Sequence, residues 1–323
     1  EWEMLSKNEV YPPAKSNPMA TSEDFLGTLS GLELASMPYA DLEQLLYDNQ
    51  IYFHLLKDLL KNGVFNNQDE ARLLLMIGIV DAPQSHTLLT EIFLDEEFGS
   101  EARFRTLMAL KYSKNPLHEK LVDDIFAYSA QPLGGRNAEL SHSSMMVLGI
   151  VVRNQMNSEF GRELSSRLAT ELKGSQNIQG KAALLSAIGN SGDSLHEQTV
   201  YSYLSDDSSI LRERSAKALY HLPSENTLNM LSRSLVSEKE VGTQRAILKS
   251  MGPNPMNKAQ IDQVYQFASN SEDSDTRKAA ILALSMQKEH QVNVKPQLKS
   301  LVKKEKSEGN LRAVMRALYK NKK

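Results

Sequence analysis

The chain has 323 residues, 41% hydrophobic and 24% charged, which supplies enough apolar side chain for a packed core and sets it apart from a disordered polyampholyte. Aromatics at 7%, beside recurrent Leu, Ala, Met and Ser, favour helices over strands, and the lack of cysteine excludes disulfides, thiolate metal sites and a cysteine nucleophile. The net charge of -3 is unevenly spread: residues 294–323 hold ten Lys or Arg and two Glu, a local charge of +8 that leaves -11 for the rest.

Residues 1–21 contain Pro12, Pro13 and Pro18 with little periodicity and are expected to form an extended arm. Trp2, the only tryptophan, lies in this arm, either resting on the nearest groove or serving as an anchor for a partner. A start at Glu1 rather than Met fits either a signal peptide or leading domain removed ahead of it or a chain shortened at that end; an exported location, periplasmic or extracellular, is slightly favoured. No stretch approaches the roughly 18 unbroken apolar residues that a membrane helix needs, so the chain is not expected to be transmembrane.

From residue 22 to 323 a single helical repeat domain is expected. A segment recurs that ends on a large apolar residue: Ile77, Leu110, Leu148, Ile188, Leu222, Met251, Leu284 and Leu318, at spacings of 33, 38, 40, 34, 29, 33 and 34. Three positions earlier stand Leu74, Leu107, Met145, Leu185, Leu219, Leu248, Ile281 and Met315, which share a helix face with the first set. These are the inner helices. Between them lie amphipathic partner stretches at Thr87–Leu94, Leu117–Tyr128, Phe160–Leu172, Leu195–Leu204, Thr227–Leu235, Ala259–Phe267 and Val294–Val302. Pro116, Ser194 with Glu197, and Ser237 with Glu240 have helix-start spacing, while Gly63, Gly189, Gly192 and Gly252 follow apolar runs as stop signals. The Pro- and Gly-rich segment Gln131–Asn137 is predicted to be an inserted loop that accounts for the two long spacings. One helix pair cannot bury its own apolar face, so the expected architecture is all-α, a right-handed α-α superhelix of about seven to eight stacked pairs.

The element Ala187-Ile188-Gly189-Asn190-Ser191-Gly192, followed by Asp206-Asp207 and Arg212-Glu213-Arg214-Ser215-Ala216-Lys217-Ala218-Leu219, resembles HEAT-type repeats. More narrowly it is similar to the helical domain of the vitellogenin and apolipoprotein B group of lipid-transfer proteins, where an Ala-Leu-Gly-Asn-Ala-Gly element precedes an Arg-rich helix. The likeness runs loosely over residues 40–285 and implies a helical wrapper; that family's β domains and cysteines are not visible in this sequence.

Catalytic motifs are absent from the linear sequence. The seven histidines are scattered without His-x-x-x-His spacing, and the Asp123-Asp124 and Asp206-Asp207 pairs point about 100° apart on a helix, which rules out a paired-carboxylate site built from either alone. No phosphate loop, dinucleotide loop or Gly-x-Ser-x-Gly elbow occurs. The chain is therefore expected to be no enzyme and to need no cofactor or metal. The strongest surface signal is the basic C-terminal block, with Lys295, Lys299, Lys303, Lys304, Lys306, Arg312 and Arg316 as its candidate partner-binding residues. It reads as the polar outer face of a terminal cap or as a surface for an acidic protein or anionic lipid. Nucleic acid is not expected, because base-stacking aromatics are missing apart from Tyr319. The function expected is a scaffold or recognition module that takes a protein partner on its concave face; the alternative is a lipid-binding helical module.

Overall fold

The computed structural model describes residues 18–130, 135–222, 224–287 and 293–319. Trp2 and most of the predicted arm lie outside these residues. All regular structure among them is helical, with eighteen α-helices in chain order and no strand. Counted in sequence these make nine pairs, more than expected, because three α-helices lie between Ser22 and Lys61, ahead of the helix that carries the first anchor, Ile77. The described residues fall into two compact units divided within one helix, the first running to Val147 and the second from Leu148, with Ser129 and Ala130 grouped with the second.

The first unit holds α1 (Ser22–Ser30), α2 (Tyr39–Asp48), α3 (Phe53–Lys61), α4 (Asn67–Val80), α5 (Pro83–Leu94), α6 (Ser100–Leu110), most of α7 (Glu119–Ala130) and the start of α8 (Gly135–Gln155). Within it α2, α4 and α6 pack in succession as one row, and α3 and α5 belong to the other. The second unit holds the end of α8, then α9 (Glu159–Gly174), α10 (Ile178–Ser191), α11 (Glu197–Ser202), α12 (Ser209–Leu219), α13 (Glu225–Ser237), α14 (Val241–Met251), α15 (Lys258–Asn270), α16 (Ser274–Met286), α17 (Lys295–Lys304) and α18 (Glu308–Tyr319). Here α10, α12, α14, α16 and α18 form the inner row, while α11 packs on α13 and α15 on α17 in the partner row. All seven predicted partner stretches fall on α5, α7, α9, α11, α13, α15 and α17 or their immediate ends.

The helices start where a short polar side chain can accept from the first free N–H groups. Thr21, Asn66, Ser158, Asn177, Ser224, Asn257 and Asp273 all do so. Two predicted starts are displaced: Asp193 rather than Ser194 caps the turn before α11, and Ser237 is the last residue of α13. Pro116 lies in the loop ahead of α7. The predicted loop Gln131–Asn137 is corrected at its end, since α8 already begins at Gly135; residues 131–134 lie outside the described set.

Ile77, Leu110, Leu148, Ile188, Met251 and Leu284 are buried as predicted, together with their partners three residues earlier. Three positions differ, one of them Leu318, which is only half-buried. Leu222 is buried but sits in the turn after α12, whose own anchor is Leu219; replacing one by the other changes the spacings of 34 and 29 to 31 and 32. Met315 is 40% exposed, because α18 packs only on α16 and α17 and buries Asn310, Val314 and Ala317 instead.

The inner rows touch backbone to backbone. A Cβ built on Gly78 would stand 2.5 Å from the Ala109 carbonyl oxygen, one on Gly149 2.1 Å from that of Ala187, and one on Gly189 2.6 Å from Ala218 Cα. A Cβ on Gly252 would meet Met286 Sδ at 2.8 Å and Ala283 Cα at 3.4 Å. Each of these glycines follows an anchor, and each alanine precedes the anchor of the next inner helix. Gly189, inside α10, is thus a close-approach position and not the stop signal predicted, whereas Gly252 is both, since it also caps the end of α14; Gly63 and Gly192, at φ 66° and 69°, are left-handed helix ends. Gly189→Ala is expected to destabilise the protein by about 1–3 kcal/mol through overpacking. Gly27→Ala, where nothing lies within 4 Å, is expected to stabilise it by roughly 0.5–1 kcal/mol. Urea denaturation of the two variants checks the contrast, and equal effects would remove the packing explanation.

Candidate recognition surface

Buried polar side chains fix the turns between rows. Asp81 ends α4 in the left-handed conformation, φ 53°, and turns its carboxylate into the loop after α6. Its Oδ1 lies 2.6 Å from His86 Nε2 and accepts from Ser113 Oγ at 2.5 Å, while Oδ2 accepts from the Lys114 and Asn115 N–H groups, both at 2.8 Å. Burial opposes ionisation of this carboxyl, but the four hydrogen bonds outweigh it and hold Asp81 below the usual carboxylate range. A second Asp-His-Ser triangle joins Asp193, His196 and Ser165, with Ser165 Oγ 2.6 Å from Asp193 Oδ2 and 2.9 Å from His196 Nε2. In both triangles serine and aspartate meet the same imidazole nitrogen, so neither has the relay through two ring nitrogens that acyl transfer uses. They act as turn clamps. No linear motif marks them, because the three residues come from two or three separate elements.

Arginines on the inner helices clamp the opposite turns. Arg212 on α12 donates to the carbonyls of Asp206 and Asp207 and forms a bidentate pair with Glu238, which ends α13. Two repeats later Arg277 on α16 donates to the Ser271 and Glu272 carbonyls at the end of α15 and pairs bidentately with Glu305, which ends α17. The two glutamates resist ionisation through burial, yet arginine and backbone N–H donors bring both below their ordinary value. In the first unit Arg103 on α6 donates to the Phe93 carbonyl at the end of α5, with its guanidinium over the Phe93 and Tyr128 rings. The Arg-rich stretch that opens with Arg212 therefore has a structural reason: it sets a cation on the carbonyls just ahead of its helix, as Arg277 does on α16.

Clamped and packed in this way, α12, α14, α16 and α18 each keep one face exposed or half-exposed, at the positions nine, six and two before the anchor. On α12 these are Ile210, Glu213 and Lys217; on α14, Gly242, Arg245 and Lys249; on α16, Asp275, Lys278 and Leu282; on α18, Gly309, Arg312 and Arg316. Arg245, Lys278 and Arg312 occupy the same position on three successive helices, and Lys217, Lys249 and Arg316 share a second column with Leu282. Lys217 pairs with Glu213, Arg245 with Asp275 and Arg312 with Glu308, all partly exposed contacts. Among the described residues no ion pair engages Lys249, Lys278 or Arg316. Leu282, Met315 and Tyr319, exposed by 43%, 40% and 64%, lie beside these cations.

The structure divides the predicted C-terminal block. Lys295, Lys299, Lys303, Lys304 and Lys306 are exposed on α17 and the turn after it, whereas Arg312 and Arg316 are exposed on α18. The two helices pack on each other and belong to different rows, so the lysine stripe and the two arginines expose opposite sides of the pair. Lys304 reaches back over the Tyr265 ring of α15, with Nζ 3.4 Å from the phenol oxygen. Arg312, Met315 and Arg316, with Glu308 and Leu311, line a shallow depression on α18. What composition could not show is that the α18 arginines continue a cationic ladder from α14 and α16, whose members are separated by more than thirty residues in the chain. Among the described residues no cluster of three or more His, Asp or Glu could hold a metal ion, and no helix is long and apolar enough to cross a membrane.

No protein-family model matches the chain, and no curated protein does. Among solved structures it is similar to human deoxyhypusine hydroxylase in complex with glycerol, at 13% identity and TM-score 0.32, over 83% of this chain and 97% of that one. It is also similar to the complex of CpcE and CpcF of phycocyanin lyase from Nostoc sp., at 15% identity and TM-score 0.38, over 96% and 98%. These neighbours are HEAT-like helical-repeat proteins, the fold class of this all-helical chain. The narrower likeness to the vitellogenin group is not shown, and the lipid-binding alternative finds no support. Both neighbours bear the names of enzymes, which overturns the expectation that the chain is no enzyme: a stack of helix pairs without a linear catalytic motif does not exclude catalysis. At these scores and identities neither activity passes to this chain.

Two expectations follow from the clamps. Arg277→Met strands the Glu305 carboxylate, whose side chain is 0% exposed, and is expected to cost about 3–5 kcal/mol, more than the double variant Arg277→Met/Glu305→Met. Chemical denaturation of the single and double variants measures this. Asp81→Asn is expected to cost about 1–3 kcal/mol near neutral pH. Since the Asp81 carboxyl titrates lower in the folded than in the unfolded chain, its contribution is complete above the unfolded value of about 3.9 and fades as pH falls through the folded value. Stability curves of the two proteins should therefore converge on acidification; a gap independent of pH would show that the charge is not what stabilises.

Proposed function

We propose that the chain is a helical-repeat recognition module that binds an acidic protein partner along the exposed, concave side of its inner helix row. The observation that carries this reading is the column Arg245, Lys278 and Arg312, with Lys249 and Arg316 one turn further along the same helices. Six cations stand against two acids at these positions of α12, α14, α16 and α18, with a third acid, Glu308, exposed beside Arg312, and make a positive strip on a chain whose net charge is -3. Exposed ion pairs such as Arg245 with Asp275 are worth only about 0–1 kcal/mol and exchange readily for an incoming carboxylate. Leu282, Met315 and Tyr319 add the apolar contact that a protein surface supplies and a free anion does not. The lysine stripe Lys295, Lys299 and Lys303 on α17 is a separate candidate surface, and Trp2 is kept as a candidate anchor in the residues outside the described set.

The test is a charge reversal on each side. In affinity purification from the native source, the wild-type chain is expected to retain a partner that Lys249→Glu/Lys278→Glu/Arg316→Glu loses by tenfold or more, both proteins melting within a few degrees of one another. Retention should weaken between low and high salt. Undiminished retention by that variant, or loss only on Lys295→Glu/Lys299→Glu/Lys303→Glu, would falsify this placement.

A further inference from the structure

The spacing of the cations carries information that their number does not. Arg245, Lys278 and Arg312 stand at the same position, six before the anchor, on α14, α16 and α18, three helices packed in direct succession. The register is fixed by contacts: Gly252 sits against Ala283, and Ser250 Oγ donates to the Ala216 carbonyl at 2.7 Å across the α14–α12 boundary. Helices in such contact lie about 8–10 Å apart, so the strip presents one cation per step of that length.

We infer that the segment recognised there is an extended acidic stretch in the polyproline II conformation, with a carboxylate at every third residue; this rests on the reading of the strip as an acidic-partner surface. Polyproline II rises about 3.1 Å per residue with three residues per turn, so every third side chain returns to the same face after about 9 Å. That matches the step between helices. A β-strand fails the match, because its side chains alternate and every third one points to the opposite face. An α-helix needs six residues to cover about 9 Å, which brings its side chains round to the far side. Residues between the acids meet Leu282, which takes the place of a cation in the second column between Lys249 and Arg316, and Met315 beside Arg312. A segment of this conformation loses little entropy on docking, because it is already a major conformer of unbound proline-rich chains.

The experiment uses the full chain and two fluorescent peptides of identical composition, glutamate and proline only. One has glutamate at every third position, and the other has its glutamates in one block. Fluorescence anisotropy at low salt is expected to give an affinity at least tenfold higher for the spaced peptide, with Lys278→Glu abolishing that difference and Lys299→Glu on α17 leaving it intact. Equal affinity for the two peptides overturns the spacing inference while leaving the acidic-partner surface standing. Binding of neither overturns both. Spaced-peptide preference that survives Lys278→Glu places the contact elsewhere and overturns the inference, as does tighter binding of a single-stranded oligonucleotide than of either peptide.

Discussion

Contact between the backbones of successive inner helices is the constraint on which the rest of the structure depends. Gly78, Gly149, Gly189 and Gly252 each leave room for the alanine, or the helix backbone beside it, on the next inner helix. Burial of Leu and Ile on either side supplies the driving force, of the order of 1.5–3 kcal/mol for each fully buried side chain. That force alone would accept many spacings and registers. The missing Cβ selects one, since a larger neighbour would part the helices and open gaps around Ile188, Leu219 and Leu284, all now fully buried.

Two kinds of clamp then fix the helix ends. Asp81 and Asp193 gather a histidine and a serine at the turns leaving α4 and α10, while Arg212 and Arg277 tie the carbonyl ends of the preceding helices to a glutamate of the following pair. Each costs desolvation and repays it only because every buried oxygen is met by a donor, as at Glu305, which accepts from Arg277 and from the Lys306 and Ser307 N–H groups. The network also engages the charged groups inside the turns, so that they take no part in the exposed face of the inner row.

Much of this was legible in the sequence. The anchors from Ile77 to Leu284 recur because a helix shows the core one stripe, and a stripe is visible in one dimension. Leu222 was mistaken for Leu219 because both are apolar and three apart, and only the end of α12 distinguishes them. Gly189 reads as a helix end because a glycine after an apolar run satisfies both descriptions, and Gly252 is in fact both; what surrounds the Cβ position is a property of the neighbouring helix. Met315 fits the pattern of core residues, but α18 has inner-row contact only with α16. The basic block of residues 294–323 stood out because its charges are contiguous, and the structure parts them between two rows. Arg245 and Lys278, which extend the line from Arg312, are not legible in the sequence for the opposite reason: the three are neighbours only once the repeats are stacked.

The alanine and glycine seam has a consequence for that exposed face. Distances between Arg245, Lys278 and Arg312 are inherited from the interior, since the three are carried by different helices whose approach is set by Gly252, Ala283 and their equivalents. The core thus serves as a ruler for the surface. Enlarging a single interior residue would change the pitch of the ladder without altering any group on it, so the spacing of surface charge and the packing of the core are not independent in this chain.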